Sequence, residues 1–312
     1  MNKLIVSSSP HIGSGNSIQR IMLDVVIALM PALVAATIFF GYRAIVITVV
    51  SVAAAVLTEA VLQKLCKKPV TIKDFSAVVT GILIAFNLPV SVPLWLPIVG
   101  SVFAMAIVKF VFGGLGHNFM NPALAARALL VVSWPARMTG AAWTQPGNID
   151  AVSAATPLEL LKMGDIQNLP GIYDLFLGNV AGCLGETSAL ALLIGGVYLL
   201  LRGVISWRTP VTFIGTVALL TWLFGGDPLY SIFAGGLMLG AIFMATDYSS
   251  SPVTPKGQLI MGLGCGIITT VIRLFGGYPE GVSYSILFMN VMTPLIDKYT
   301  MPKIFGGVKT HA

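Results

Sequence analysis

The chain is poor in charge. Only 10% of its 312 residues are Asp, Glu, Lys or Arg, against about 25% in a soluble domain, which rules out a water-soluble globular fold. It is also short of redox and metal ligands. Its three cysteines, Cys66, Cys183 and Cys265, lie far apart and form no C-x-x-C, which argues against iron–sulfur ligation by this chain alone. The three histidines, His11, His117 and His311, supply no pair on facing membrane helices and so no bis-histidine haem. G-x-G-x-x-G and Walker A patterns are absent, leaving no support for dinucleotide or ATP binding. No long polar tail marks a separate soluble catalytic domain. If the chain carries electrons, flavin is the carrier left.

Apolar residues are what it has: 56% of the sequence, with a mean hydropathy of +0.90. After a polar lead, whose rival reading is a signal peptide, apolar spans fall near 21–40, 44–64, 74–89, 92–112, 118–134, 177–201, 210–224, 228–246, 257–275 and 281–297. The expectation is an all-α integral membrane protein of about ten transmembrane helices forming one membrane domain over 1–312. The net charge of +6 then reads as topology rather than nucleic-acid affinity. With the N-terminus inside, thirteen Lys and Arg fall on the inner side and four outside, Arg127 remaining within a span. Both termini are therefore expected in the cytoplasm, and the loop of residues 135–176 outside it.

Val108-Lys109-Phe110-Val111-Phe112-Gly113-Gly114 echoes Val271-Ile272-Arg273-Leu274-Phe275-Gly276-Gly277, and Phe119-Met120-Asn121-Pro122 echoes Phe288-Met289-Asn290. Five spans per unit make the halves, 20–134 and 177–298, inverted repeats, with functional sites expected between them. Chance likeness of apolar segments is the alternative. Two spans look interrupted, at Phe86-Asn87-Leu88-Pro89 and at Met244-Ala245-Thr246-Asp247.

Charges within or near spans are Asp24, Glu59, Lys109, Arg127, Glu186 and Asp247; they mark a pathway or an internal pair. Snorkelling from a helix end is the preferred reading for Lys109 and Asp24. Glu186, among glycines and hydroxyls, is the better candidate for an ion route, and Asp247 is a second.

The longest polar interruption holds Asp150-Ala151-Val152-Ser153-Ala154-Ala155-Thr156-Pro157-Leu158. Small neighbours leave the Thr156 hydroxyl reachable by a modifying enzyme, and Pro157 opens a short helix over 158–163. An ordinary helix cap, with Glu159 close behind, is the competing reading. Further back, Asn118 and Asn121 lie three apart at the start of a span. Their amides suit a flavin ring edge; capping by Asn118, with Pro122 in the first turn, explains them equally.

Ser153-Ala154-Ala155-Thr156 is similar to the Ser/Thr-x-Ala-Thr site at which a flavin transferase esterifies threonine with the phosphate of FMN. Its setting resembles the membrane-subunit family shared by Rnf-type electron-transport complexes and, more distantly, the sodium-pumping NADH:quinone oxidoreductase, which usually has glycine where Ala154 stands. The stretch Phe243-Met244-Ala245-Thr246-Asp247, followed by Pro252, Thr254, Gly257 and Gln258, is a longer match to both. Asn118-Phe119-Met120-Asn121-Pro122-Ala123-Leu124, closed by Arg127, resembles a family segment whose two asparagines are associated with a second, non-covalent riboflavin. The resemblance implies covalent FMN on Thr156 with Ser153 in its recognition motif, and electron relay through flavins. It implies ferredoxin-to-NAD electron transfer coupled to Na+ or H+ translocation. The implied partners are other Rnf subunits, among them an FMN-bearing extracytoplasmic one and membrane subunits, a maturing flavin transferase, and the bilayer of a bacterial or archaeal cell. A channel or permease of inverted-repeat plan, without a redox cofactor, is the alternative, and a structural anchor a third.

Overall fold

The computed structural model describes residues 17–146, 154–165, 167–278 and 280–302. Among them every regular element is helical, and no β-strand forms. Helix α1 spans Ile18–Phe40, capped by Ser17, whose hydroxyl accepts from the Arg20 amide. A single residue, Gly41 at φ +74°, turns the chain into α2, Tyr42–Leu65; a side chain at that φ would be strained. Then come α3, Ser76–Phe86, and α4, Trp95–Phe103, which widens into π-helical turns over Ala104–Phe110. Helix α5 covers Pro122–Ser133 and the single turn α6 Pro135–Met138. Beyond the polar interruption lie α7, Pro157–Met163, and α8, Ile172–Leu177. The chain closes with α9, Ala189–Leu201; α10, Arg208–Leu223; α11, Pro228–Phe233; α12, Leu237–Leu239 running into π-helical turns Gly240–Met244; α13, Pro255–Phe275; and α14, Val282–Thr300.

Among the described residues three helices, α1, α2 and α13, are long and apolar enough to cross a membrane. Their apolar residues are largely not used inside the protein: less than a third of the most apolar stretch of α1 or α2 is buried. Ile38, Val49, Leu57 and Phe275 stand exposed, as they must where the solvent is hydrocarbon. Helix α1 packs along α9, α2 along α3 and α4, and α10 along α13, which also meets α14. Hydroxyls and small residues let these helices approach closely. Ser51 of α2 and Ser101 of α4 share a 3.0 Å hydrogen bond, and Gly262 and Gly266 of α13 lie against Thr212 and Thr216 of α10.

Three spans depart from the expectation. The fifth span begins as a helix at Pro122, not at 118, because Asn121 caps it and Pro122 fits the first turn. The sixth is divided: residues 178–188 are non-helical, and the helix starts at Ala189. The eighth is divided at Ala234–Gly236, where Gly235 takes φ +70°. The third ends at Phe86, where the expected interruption Phe86-Asn87-Leu88-Pro89 begins and the chain turns at Asn87-Leu88.

The breaks in the third and sixth spans complete each other. The Phe86 and Leu88 carbonyls, released where α3 stops, accept from the Gly185 and Leu184 amides at 3.1 and 3.0 Å. The Cys183 thiol donates to the Asn87 carbonyl at 3.4 Å. Residue 185 must be glycine, since a Cβ there would run into the Phe86 ring. Irregular backbone inside an apolar protein survives only when so satisfied.

Candidate functional site

Helix α7 places Thr156. Pro157 holds Thr156 extended (φ −68°, ψ 155°), and a complete capping box follows. The Glu159 amide donates to Thr156 Oγ1 at 3.2 Å, while the Thr156 amide donates to Glu159 Oε2 at 3.1 Å. Leu158 then packs with Leu175, Val180, Tyr230 and Ala234. This packing corrects one expectation: Thr156 is only 4% exposed, not freely reachable. Ser153 lies outside the described residues.

Thr156 lines a cleft between the polar interruption, α5 and the start of α14, together with Trp143, Arg127, Tyr278, Glu280 and Tyr284. Lys162 holds α7 to this wall by donating to the carbonyls of Gly276 and Tyr278, the latter at 3.0 Å. The Tyr278 and Tyr284 rings lie 5.8 Å apart, tilted by 41°. The indole Nε1 of Trp143 is buried and has no hydrogen-bond partner among the described residues.

Arg127 joins this cleft to the broken spans. Its Nη1 donates to Asn87 Oδ1 at 2.8 Å and lies 3.6 Å from Glu186 Oε2; its Nη2 pairs with Glu280. Glu186 Oε1 accepts from the Cys183 amide at 3.1 Å, and Oε2 has no hydrogen-bond donor among the described residues. Two carboxylates thus share one guanidinium in the interior. Glu186 sits in the non-helical segment that seals the end of α3, so the sequence-predicted ion residue meets a backbone break and the Thr156 cleft through one arginine.

The two asparagines separate in role. Asn121 caps α5: its Oδ1 accepts from the amides of Ala123 and Leu124 at 3.0 and 3.3 Å, and its Nδ2 donates to the Met244 carbonyl at 3.3 Å. Asn118 precedes the helix and donates to the Met120 carbonyl at 3.2 Å. Both line a second cavity with Ser76, Lys109, Phe243 and Asp247. Asp247 accepts from the hydroxyls of Ser249 and Ser250 at 2.9 and 2.8 Å, holding the turn after the π-helical segment.

Lys109 and Asp24 do not snorkel. Lys109 is 3% exposed, enclosed by α2 and α3, and donates to Glu59 Oε1 and Ser76 Oγ. These partners hold its ammonium inside the protein. Asp24 of α1 is buried against α9, accepting from Tyr198 Oη at 2.8 Å and pairing with Arg202 at 3.2 Å.

The family described as NQR2, RnfD, RnfE matches residues 5–306. The chain belongs to that family. The D subunit of the Na+-translocating ferredoxin:NAD+ oxidoreductase complex of Acetobacterium woodii is 57% identical over 308 residues, 98% of this chain and 96% of its own. Its counterpart in the proton-translocating ferredoxin:NAD+ oxidoreductase complex of Clostridium ljungdahlii is 46% identical, covering 98% and 97%. The D subunit of the ion-translocating oxidoreductase complex of Yersinia pseudotuberculosis serotype O:1b is 35% identical, covering 98% and 99%. This family member is an integral membrane protein: its apolar helices and its relatives agree on that.

Sequence reasoning missed Glu280 and Trp143. An arginine within a span demands a carboxylate, and that was the available signal for Glu280. Nothing in the order of residues marks Trp143.

Proposed function

We propose that the chain is the membrane-embedded D subunit of an Rnf-type complex that couples electron transfer from ferredoxin to NAD to Na+ or H+ translocation, and that it carries FMN esterified to Thr156. Relatives bearing that name match nearly the whole chain, which supports the first part. The Thr156 cleft supports the second: a hydroxyl, three aromatic side chains and a guanidinium line one space, the set that a planar ring and its anionic link need. Bound flavin supplies electron-transfer chemistry that no side chain here has. Thr156 would hold it by the phosphate, its esterified oxygen keeping a lone pair for the Glu159 amide. Arg127 offers positive charge at the inner wall.

The second cavity suits a non-covalent flavin, riboflavin by family resemblance. Asn118 is the better placed of the two amides to face it, since Asn121 is engaged by backbone on both its oxygen and its nitrogen. Glu186, with its undonated Oε2 beside Arg127, and Asp247 are the ion-path residues of this reading. The ten spans form two inverted halves with both termini cytoplasmic and Thr156 on the outer side. The other members of the complex, including an extracytoplasmic flavoprotein, meet the chain in the membrane after a flavin transferase has modified it.

Co-expression with a flavin transferase tests the reading. The peptide containing Thr156 should gain one FMN mass, and the denatured chain should fluoresce under ultraviolet light. Loss of fluorescence in T156A is expected; fluorescence persisting there, or an unmodified peptide in an active complex, overturns the assignment. A channel without a redox cofactor predicts no fluorescence in any variant.

A further inference from the structure

Trp143 stands out among the buried polar groups that have no partner. It is 4% exposed, and its Nε1 meets no acceptor among the described residues. An indole nitrogen only donates, so among the described residues it is left open for an acceptor. Its position is fixed: the Ala154 amide donates to the Trp143 carbonyl at 3.0 Å, tying Trp143 to the segment that leads two residues later into Thr156. Both side chains line one cleft together with Tyr278 and Tyr284, whose rings lie 5.8 Å apart. Next to Trp143, Thr144 Oγ1 is also buried without a partner among the described residues.

We propose that Trp143 is a positioning residue for a planar heteroaromatic group held at Thr156, to whose ring edge it donates its indole N–H. The proposal rests on the assignment of covalent flavin to Thr156 and adds the residue that orients the ring. Aromatic walls select a flat group, and the unpaired donor selects one with nitrogen or carbonyl acceptors on its rim. The isoalloxazine ring has both features. A lipid acyl chain in the same cleft has no acceptor, and it would leave the indole as unsatisfied as before.

The test uses the purified complex and W143F, which keeps an aromatic ring and removes the donor. In-gel fluorescence after denaturation should give the same flavin content on Thr156 as the wild type. The reduction potential of that flavin should fall, because a donor at the ring edge favours the electron-rich reduced form. A tenfold loss of that preference lowers a two-electron potential by about 30 mV. W143H, which restores an N–H, should recover part of the shift. W95F, at a tryptophan that packs edge-on against Trp134 and is 44% exposed, should leave the potential unchanged. Flavin on Thr156 with a wild-type potential in W143F overturns this inference alone. A wild-type complex without flavin on Thr156 overturns the parent assignment, and this inference with it.

Discussion

Lys109 Nζ lies 2.7 Å from Glu59 Oε1 and 2.7 Å from Ser76 Oγ, so one ammonium ties the π-helical end of α4 to α2 and α3. The pair is almost wholly withdrawn from solvent, with side chains 4% and 6% exposed. It also stands between two spaces. Lys109 lines the cavity of Asn118 and Asn121, and with Glu59 it lines another of about 410 Å³.

Removing one member of this pair should be worse than removing both. K109M leaves Glu59 buried and uncompensated, which costs on the order of 3–5 kcal/mol. The double variant E59Q/K109M removes both charges and should recover most of that loss. Thermal unfolding of the purified complex checks it. A double variant as unstable as K109M would show that Lys109 supports the helices through packing rather than charge.

Arg127 should not tolerate lysine. Its two nitrogens reach Asn87 and Glu280 in different directions, with Glu186 nearby, and a single ammonium cannot span that fork. R127K is expected to lower coupled ion transport at least tenfold while Thr156 keeps its flavin. Transport into proteoliposomes, read beside in-gel fluorescence, separates the two effects. Wild-type transport in R127K would remove Arg127 from the pathway.

The capping box predicts a graded effect at Glu159. E159A removes the acceptor for the Thr156 amide and leaves the threonine hydroxyl in place. Loss of a cap interaction costs about 1 kcal/mol, so α7 should become more sensitive to protease while flavin still attaches. If E159A abolishes attachment without increasing cleavage, Glu159 is read directly by the modifying enzyme.

Orientation can be read from a native residue. Cys66 is the exposed cysteine, and Cys183 and Cys265 are buried. With Cys66 on the cytoplasmic side, an impermeant thiol reagent should leave intact cells unlabelled and label lysed ones. A cysteine introduced at Gly147 in a C66S background should react in intact cells. Labelling of wild-type Cys66 in intact cells would invert the arrangement and bring the Thr156 loop inside.

The helical, apolar character of the chain is legible in its sequence because it depends on composition. So is the end of α3, because Pro89 cannot extend a helix and Asn87 competes for its backbone. The buried charges are legible as charges but not as pairs: Arg127 and Glu280 are 153 residues apart, and no local pattern joins them. Lys109 misleads because a long aliphatic stem near a helix end ordinarily reaches out to water, whereas here Glu59 and Ser76 meet it inside. The start of α5 is misread in sequence: Asn118 is the expected cap, whereas Asn121, directly before Pro122, is the residue that caps it. Its Nδ2 also donates to the Met244 carbonyl, which fixes the amide while its Oδ1 caps the helix. Thr156 is legible as a helix cap because Pro157 and Glu159 follow it, and the capping box forms.

The seam where residues 183–185 close the end of α3 also imposes an order on synthesis. Phe86 and Leu88 leave the ribosome nearly a hundred residues before the amides that their carbonyls accept. Until Gly185 emerges, the interrupted third span has open hydrogen-bonding groups at its end, a poor state for hydrocarbon. The end of α3 must therefore wait in water or in the insertion machinery, and is sealed only when residues 184–185 arrive. Expressed alone, residues 1–134 should insert poorly and be degraded. Supplying the remainder as a separate chain should rescue them.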